Sequence, residues 1–453
     1  MTDKTVHPFP LFFDSDCAGV HGENLECVQP IPWPGIDNVN ITYVKALAAR
    51  LFAASYRSPD LLNLFAIRKV HLTKLLVHSK DLFIRENNIV DVVVPYDGCV
   101  RVFGDTHGDL HSLIEAISTA GLPTQTNIFV FAGDCVDRGC WGVEVVALIL
   151  ALKLHSPSHV FFLRGNHETT GCTRRYGFLD EVKRKYDMKT LDAFSKTFRE
   201  LPVAAVLRSL PANQSCTPVA VHPAAGKVRR RPKRGKRKEG PLIDSAPVGQ
   251  GWRATPVPGE KRVLVVHGGL FRSWKAQKRC VMTIGDLVDL AEVNRREDDP
   301  YECLLEDVIW SDPSAKNEVS CNLLRGAGIL FGSGAVQSFF KRNGLHGMIR
   351  AHEGPDMRER RKDMNNVDNG YSVDMELAEG YVATVFTAAN YPPDQPRGNR
   401  GAFATIYGKG TEKKQALPEF TSFEKRGAPR GPELFYMPDQ SDQSATPRNS
   451  FSK

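Results

Sequence analysis

The sequence predicts an α/β sandwich in which polar residues gather along one edge, and two observations support this fold class. Short apolar runs typical of buried strands recur through the middle of the chain, and each is followed by a small residue and a polar side chain. Helical stretches lie between the early runs, at 110–118 and 143–154. Because a strand end holds its backbone firmly, the polar side chains are expected to meet along one edge.

The six runs and the motifs that follow them carry most of the information in this sequence. In chain order the motifs are GDTHG at 104–108, GDCVDRG at 133–139, RGNHE at 164–168, HGGL at 267–270, RAHE at 350–353 and TAANY at 387–391. Glycines let the backbone approach an ion or a phosphate closely. The motifs therefore favour a site for charged ligands.

Composition limits the other possibilities. The chain has 453 residues, of which 42% are hydrophobic, enough for a sizeable core in one large domain or two average ones. Ten cysteines without a CxxC pair are typical of reduced thiols, so we expect no disulfides. The N-terminus lacks a signal-peptide pattern, and the longest mostly apolar stretch, 143–154, is too short to span a bilayer. We expect a soluble, non-secreted protein of the nucleus or cytoplasm, with no membrane association.

The chain divides into three parts. Residues 1–40 are rich in Pro, Gly and Asp and are expected to form an irregular arm. Two predicted helices and a predicted hairpin, whose turn is 96–98, open a catalytic domain at 41–408. Polar, Pro-rich residues at 409–453 predict a mobile C-terminal tail.

A basic segment at 209–260 interrupts the domain and is expected to be disordered. Strand-like stretches flank it, so it replaces the tip of a hairpin, about 20 Å from the end that carries His267. Within it, nine of the twelve residues at 227–238 are Lys or Arg, so subtracting them from the total of +7 leaves −2 for the rest. Three uses stay open: a solvated loop, a nuclear import signal bound by an import receptor, or a contact with nucleic acid or an acidic protein. The run has no aromatic residues, which argues against binding of single strands by stacking.

Phosphate monoesters hydrolyse very slowly, so a catalyst must create a nucleophile and neutralise the phosphoryl oxygens. Two metal ions bridged by a carboxylate can do both, given oxygen and nitrogen ligands from several strand ends. The residues that supply this set are Asp105, His107, Asp134, Asn166, His267 and His352. Imidazole without thiolate favours manganese, or iron with zinc, over calcium.

The ordered motifs, with VIWSDP at 308–313 and LRGAGILFG at 324–332, resemble the phosphoprotein phosphatase family over about residues 90–408. GCWGVE, GCTRRYGF, HGGLFRS and AHEGPD are most similar to its plant type-seven branch. The resemblance implies a calcineurin-like metallophosphoesterase β-sandwich flanked by helices, with a dinuclear metal site at the strand ends.

Residue by residue, the resemblance implies that Asp105 and His107 hold one metal ion, that Asp134 bridges, and that the remaining ligands complete the second ion. It further implies that His167 protonates the leaving oxygen while Asp137 orients its ring. The residues implied to bind the substrate phosphate are Arg138, Asn166, Arg325 and Tyr391. The implied activity is hydrolysis of phosphoserine and phosphothreonine in phosphoproteins, by metal-activated water in a single in-line step.

The motifs depart from the family pattern in a few positions, of which Asp109 matters most. It stands where the family usually has glutamine, and we expect its carboxylate to tighten metal binding or weaken anion binding. Two other functions stay open: a two-metal phosphodiesterase or nuclease that holds nucleic acid with the basic segment, and an inactive phosphoprotein-binding scaffold. The full motif set favours the protein phosphatase, with nucleic acid an unlikely partner.

Overall fold

The computed structural model describes residues 30–55, 66–211, 256–273, 283–296, 303–393, 396–409 and 418–425. The α-helices are α1 Ile41–Ser55, α2 Lys69–Phe83, α3 Leu110–Ala120, α4 Gly142–His155, α5 Thr170–Arg175, α6 Phe178–Lys185, α7 Met188–Phe198, α8 Leu287–Glu292, α9 Cys303–Trp310, α10 Ser333–Asn343 and α11 Pro355–Arg358. The strands are β1 Ile89–Val93, β2 Cys99–Phe103, β3 Asn127–Phe131, β4 Val160–Phe162, β5 Ala204–Ser209, β6 Lys261–Val266, β7 Asp312–Pro313, β8 Val319–Cys321, β9 Ile329–Phe331, β10 Gly347–Arg350, β11 Tyr371–Glu376, β12 Tyr381–Val385, β13 Gly401–Tyr407 and β14 Glu419–Phe423.

Two large sheets pack face to face, which confirms the predicted sandwich. One sheet has the strand order β1-β5-β6-β10-β12-β11, and the other has the order β14-β13-β2-β3-β4. Valine, alanine and isoleucine side chains from both sheets form the core between them. Within each sheet three neighbouring strands run parallel, β6-β10-β12 in one and β2-β3-β4 in the other. Their carboxyl ends therefore lie at common edges, as the repeated strand-end motifs predicted.

Helices cover the outer faces of both sheets. Helix α4 is hydrophobic around its circumference and is buried along nearly its whole length, because it lies in a core shared with α1, α2 and the β2 sheet. A second core joins α8, α9 and α10 to the β6 sheet. A small third sheet, with the order β7-β9-β8, lies beyond β6 in the chain.

The predicted hairpin around residues 96–98 is wrong. Strand β1 pairs in parallel with β5, whereas β2 pairs with β13 and β3, so the turn crosses from one sheet to the other. Both strands direct valines into the core between the sheets. Burial of these side chains against opposite sheets thus outweighs the local preference of a tight turn for antiparallel pairing.

The hairpin predicted around the basic segment is confirmed. Strands β5 and β6 are antiparallel, with Ala204 opposite Val266 and Ser209 opposite Lys261. The segment leaves and re-enters the sheet at the Ser209 end, and His267 follows the other end of β6. Residues 212–255, including the run at 227–238, lie outside the described residues, so the disorder predicted for them stays a prediction.

The predicted C-terminal tail at 409–453 needs a correction. Strand β14 lies inside it and pairs antiparallel with β13, with Phe423 opposite Gly401 and buried in the helical core. Two aromatic residues in a five-residue stretch allow this segment to complete the sheet edge. In the N-terminal arm, residues 30–40 contain a 3-10 turn, Ile36–Asn38, and residues 1–29 lie outside the described part of the chain.

Among the helices that the structure describes, none combines the length and the apolar character needed to cross a membrane. In the described part of the chain, free thiols are present at Cys99, Cys135, Cys140, Cys172 and Cys321.

Candidate metal centre

The strand ends of both sheets meet at one place and bring the predicted residues together. The β2 sheet contributes the residues after β2, β3 and β4, and the β6 sheet contributes those after β6, β10 and β12. A parallel bridge between Asp105 and Phe386 joins the two sheets here. The residues predicted as metal ligands are all buried at this junction: Asp105, His107, Asp134, Asn166, His267 and His352.

The backbone at this junction is unusual. In the described part of the chain, the non-glycine residues with positive φ are His107, Asp134, Asp137, Arg138, His352 and Asn390. Such a conformation costs energy for a residue with a side chain and is retained where the surrounding structure imposes it. Five of these residues were predicted to act in the site, so strained backbone coincides with the proposed chemistry.

One group of ligand atoms surrounds His267. Its Nε2 atom lies 2.8 Å from Asn166 Oδ1, 3.1 Å from Asp134 Oδ2 and 3.2 Å from His352 Nδ1. Metal–ligand bonds of about 2.0–2.2 Å place two ligand atoms of one ion roughly 3–3.4 Å apart. The spacing of these atoms therefore fits a single metal ion.

A second group surrounds His107. Its Nε2 atom lies 3.7 Å from Asp105 Oδ2 and 3.9 Å from Asp134 Oδ2, so Asp134 belongs to both groups. The Nδ1 atom of His107 lies 3.1 Å from the Val136 carbonyl, and that of His267 lies 3.0 Å from the Ala132 carbonyl. A carbonyl oxygen can only accept, so Nδ1 carries the proton and the Nε2 lone pair faces the ligand group.

Two buried polar atoms of this centre have no hydrogen-bond partner, Asp105 Oδ2 and His352 Nε2. A buried carboxylate oxygen without a partner is costly. An ion beside His107 would satisfy Asp105 Oδ2, whereas His352 Nε2 points away from the group, 4.0 Å from Asp312 Oδ1. The donor set thus fits two metal ions that share Asp134.

The electrostatics agree with this fit. Burial, and then the neighbouring Asp134 charge, raise the pKa of Asp105 to about 7. Burial lowers the pKa of His107 to about 3, which keeps its imidazole neutral and able to bind a metal. Burial alone would raise the pKa of Asp134, but the surrounding histidines hold it below its usual range. Two buried carboxylates close to one another, beside the neutral imidazole of His107, form a site that cations stabilise.

His167 lies beside the two groups. Its Nδ1 atom is 2.7 Å from Asp137 Oδ2, and its Nε2 atom is 3.9 Å from Asp134 Oδ2. Asp137 is itself fixed, because its other oxygen accepts a 2.8 Å hydrogen bond from Phe178 N. The ring is therefore oriented with Nε2 toward the metal centre.

The residues predicted to bind phosphate also border the centre. The guanidinium of Arg138 lies 4.5 Å from the ring centroid of Tyr176. Arg325 donates to Asp312 through Nε at 2.9 Å and to the His352 carbonyl through Nη2 at 2.9 Å. Tyr391 stacks on His107, with ring centroids 5.3 Å apart. Burial raises the pKa of Tyr391 well above its ordinary value, so its hydroxyl stays a donor.

Sequence reasoning missed two supporting carboxylates. Asp312, within VIWSDP, accepts from both Arg325 and Arg350 and so fixes the position of Arg325. Glu168, the last residue of RGNHE, accepts backbone N–H bonds from Asp134, Cys135 and Gly165 at 2.8, 2.8 and 2.9 Å. Both residues belong to the motifs VIWSDP and RGNHE. An acidic residue next to predicted site residues is the sequence feature that could have indicated their supporting role.

Replacing Glu168 with glutamine is expected to loosen the loop that carries Asp134. One of the two acceptor oxygens becomes an amide that faces a backbone N–H, which should lower the free energy of unfolding by about 1–3 kcal/mol. Metal affinity should fall about 10- to 100-fold, as is usual when a group that supports a ligand is lost. Denaturant unfolding and metal titration measure the two effects. In the matched variant Asp192→Asn, an exposed carboxylate that pairs with Lys196 is changed, and neither quantity should move.

Asp109 has partners that the sequence did not indicate, so its predicted effect on metal or anion binding stays a prediction. Its side chain caps α3 by accepting from Ser112 N at 3.0 Å, and Lys425 Nζ lies 2.7 Å from its Oδ2 atom. A helix N-terminus and a lysine thus neutralise the carboxylate. Asp109 is occupied by these partners and does not add a free charge to the metal centre.

A two-sheet sandwich that gathers buried carboxylates, imidazoles and an amide at its strand ends defines the class of metal-dependent phosphoesterases, which are hydrolases. The family described as calcineurin-like phosphoesterase matches residues 100–356, and this chain belongs to that family.

Comparison with similar proteins shows which phosphatases within this family the chain resembles. The chain is 31% identical over 437 residues to serine/threonine-protein phosphatase 7 of Arabidopsis thaliana, covering 87% of this chain and 89% of that protein. It is 28% identical over 344 residues to serine/threonine-protein phosphatase 5 of the same plant, covering 76% of this chain and 49% of that protein. The chain thus spans about half the length of the type-five relative. The predicted resemblance to the type-seven branch is confirmed.

A solved structure supports the fold. A serine/threonine phosphatase from Saccharomyces cerevisiae, described as similar to human phosphatase PP5, aligns with a TM-score of 0.58 at 23% identity. The alignment covers 81% of this chain and 92% of that chain.

Proposed function

We propose that this chain hydrolyses phosphoserine and phosphothreonine in proteins. The observation that carries this proposal is that two groups of buried ligand atoms share Asp134, and that His167, which lies within one of them, is oriented by Asp137. The relative that matches nearly the whole chain is named a serine/threonine-protein phosphatase, which supports this substrate class.

In this proposal, Asp105, His107 and Asp134 hold one ion, and Asn166, His267 and His352, with Asp134 shared, hold the other. The ions would supply a nucleophile from water near neutral pH and neutralise charge on the phosphoryl oxygens. Manganese, or iron with zinc, suits a set of imidazole and oxygen ligands without thiolate. Elemental analysis of the purified protein identifies the pair, and loss of activity in a chelator with recovery on adding Mn²⁺ tests the requirement.

His167 is proposed to protonate the leaving oxygen through Nε2, because Asp137 occupies Nδ1. Burial lowers the pKa of His167 to about 4, against the attraction of Asp134. A bound phosphate dianion opposes the effect of burial and raises this pKa, so the imidazolium forms where it is needed. Asp137 stabilises that charge and keeps the ring in place.

Arg138, Arg325, Asn166 and Tyr391 are proposed to hold the phosphate. The planar guanidinium groups match tetrahedral oxyanions, and the Tyr391 hydroxyl adds a neutral donor. Because Asp312 already fixes Arg325, little side-chain freedom is lost when phosphate binds.

The decisive assay compares peptides that carry phosphoserine, phosphothreonine or phosphotyrosine with a phosphodiester, all with the metal-loaded protein. We expect phosphoserine and phosphothreonine peptides to be hydrolysed fastest. Cleavage of the diester alone would show a phosphodiesterase or nuclease instead. A variant lacking residues 227–238 should keep its activity on peptides, because the basic segment leaves the sheet at the end of β5 and β6 remote from His267.

For the basic run we propose nuclear import, with a nuclear as well as cytoplasmic location. Its density of Lys and Arg suits the acidic surface of an import receptor. A fluorescent fusion of the full chain should concentrate in nuclei. A fusion in which the nine Lys and Arg residues of 227–238 are replaced by glutamine should not. Equal distribution of both fusions would overturn the proposal.

A further inference from the structure

An ion pair links the segment that follows β14 to the N-terminus of α3, next to the metal centre. Lys425 lies two residues beyond β14, and its Nζ atom is 2.7 Å from Asp109 Oδ2, although the residues are 316 positions apart. Both side chains are mostly buried, with exposed fractions of 18% and 16%. Partial burial makes such a pair more consequential than an ion pair at the surface.

Asp109 connects this lysine to the metal-binding loop. It is two residues from His107, and its Oδ1 and Oδ2 atoms accept from Ser112 N at 3.0 Å and Ser112 Oγ at 2.9 Å. These bonds hold the first turn of α3 against the end of GDTHG. The carboxylate thus lies where the chain passes from metal ligands into a helix.

Ser112 extends the connection to the loop that carries Tyr391. The Ser112 Oγ atom accepts a 3.0 Å hydrogen bond from Ala389 N, so this hydroxyl both donates and accepts. One residue earlier, Ala388 N donates to the Asp105 carbonyl at 2.9 Å. The two loops therefore share their positions, and Tyr391 follows within two residues.

We propose that Lys425 and Asp109 are positioning residues, which hold the loops at 105–109 and 387–391 in register and keep a buried negative charge neutral beside the phosphate site. The proposal rests on the proposed phosphatase function. It makes the β14 segment a working part of the catalytic unit.

Neutralisation predicts a specific pattern of compensation. Loss of the lysine leaves the Asp109 carboxylate without a counter-charge, so that it repels phosphate, whereas asparagine at position 109 can still cap α3 without a charge. In the full-length, metal-loaded protein, Lys425→Met should lower kcat/KM on a phosphopeptide about 10-fold and raise the inhibition constant of inorganic phosphate by a similar factor. Adding Asp109→Asn to this variant should restore both to within about 2-fold of the parent. Lys425→Arg should keep them unchanged.

The matched control is Lys409→Met, which removes an exposed ion pair with Asp97 in the same C-terminal region. It should leave both constants unchanged. If Lys425→Met only lowers the thermal midpoint while kcat/KM and phosphate inhibition stay at the parent values, the pair is merely structural. No compensation in the double variant also overturns the proposal. An inactive parent protein would instead count against the proposed phosphatase function.

Discussion

Asp134→Asn is expected to abolish most activity by removing the charge that both ligand groups share. The substitution keeps the shape of the side chain, and Oδ1 can still accept the 2.9 Å hydrogen bond from His167 N. Asparagine would replace the Oδ2 atom, which lies 3.1 Å from His267 Nε2, with an uncharged amide nitrogen that cannot bind a metal ion. We expect kcat to fall on the order of 100- to 1,000-fold, the usual effect of removing one preorganised electrostatic group. Elemental analysis should find less than two metal ions per chain.

Asp91→Asn provides the comparison. Asp91 is also largely shielded and pairs with Arg208, but it lies on the edge strand β1. The Asp91→Asn substitution should lower the free energy of unfolding without changing the metal content. If Asp134→Asn retained both ions and full turnover, the shared-ligand interpretation would be wrong.

His167→Asn is expected to reduce kcat about 100- to 10,000-fold on a phosphoserine peptide, the range for loss of a general acid. Metal content should stay at the parent level, because the proposed role of Nε2 is to serve the leaving oxygen and Nδ1 lies 2.7 Å from Asp137 Oδ2. Loss of an ion would instead show that His167 is a ligand, since its Nε2 atom is as far from Asp134 Oδ2, 3.9 Å, as that of His107. A comparison of two substrates with different leaving groups distinguishes a role of His167 in proton transfer from a structural role. Hydrolysis of an aryl phosphate breaks the bond from phosphorus to a phenol oxygen, which leaves as a stable phenolate and needs little protonation, so this reaction should slow far less.

Asp137→Asn tests the orienting role in the same pair of assays. Here we expect a loss of about 10- to 100-fold with the same dependence on the leaving group, because ring orientation is weakened while the imidazole remains. Equal losses on peptide and aryl phosphate in both variants would exclude His167 as the proton donor.

The recurring strand-end motifs made the fold predictable from local information. In VRVF-GDTHG, the apolar run is typical of a buried strand, and the glycine and polar ligand types that follow it mark the end of that strand. The same reasoning holds for the motifs that contain Asn166, His267 and His352. Parallel pairing of their strands then brings these ends to common edges.

Errors arose where a local pattern competes with long-range packing. A turn signal at 96–98 suggested a hairpin, yet β1 and β2 belong to different sheets because both bury valines in the core between the sheets. Polar and Pro-rich composition suggested a tail after 408, yet five residues of it complete a sheet edge. Edge pairing depends on a partner strand that sequence neighbours do not reveal.

By itself, the sequence determined the class of fold, the set of polar residues at the strand ends and their resemblance to one enzyme family, because each is encoded in short contiguous segments. The resemblance already implied that Asp134 bridges two ligand groups. Only the tertiary structure decided that Glu168 and Asp312 support the site and that Lys425 neutralises Asp109. These contacts join residues that are separated along the chain. They arise only when both sheets and their helices have packed, which is why no local pattern predicts them.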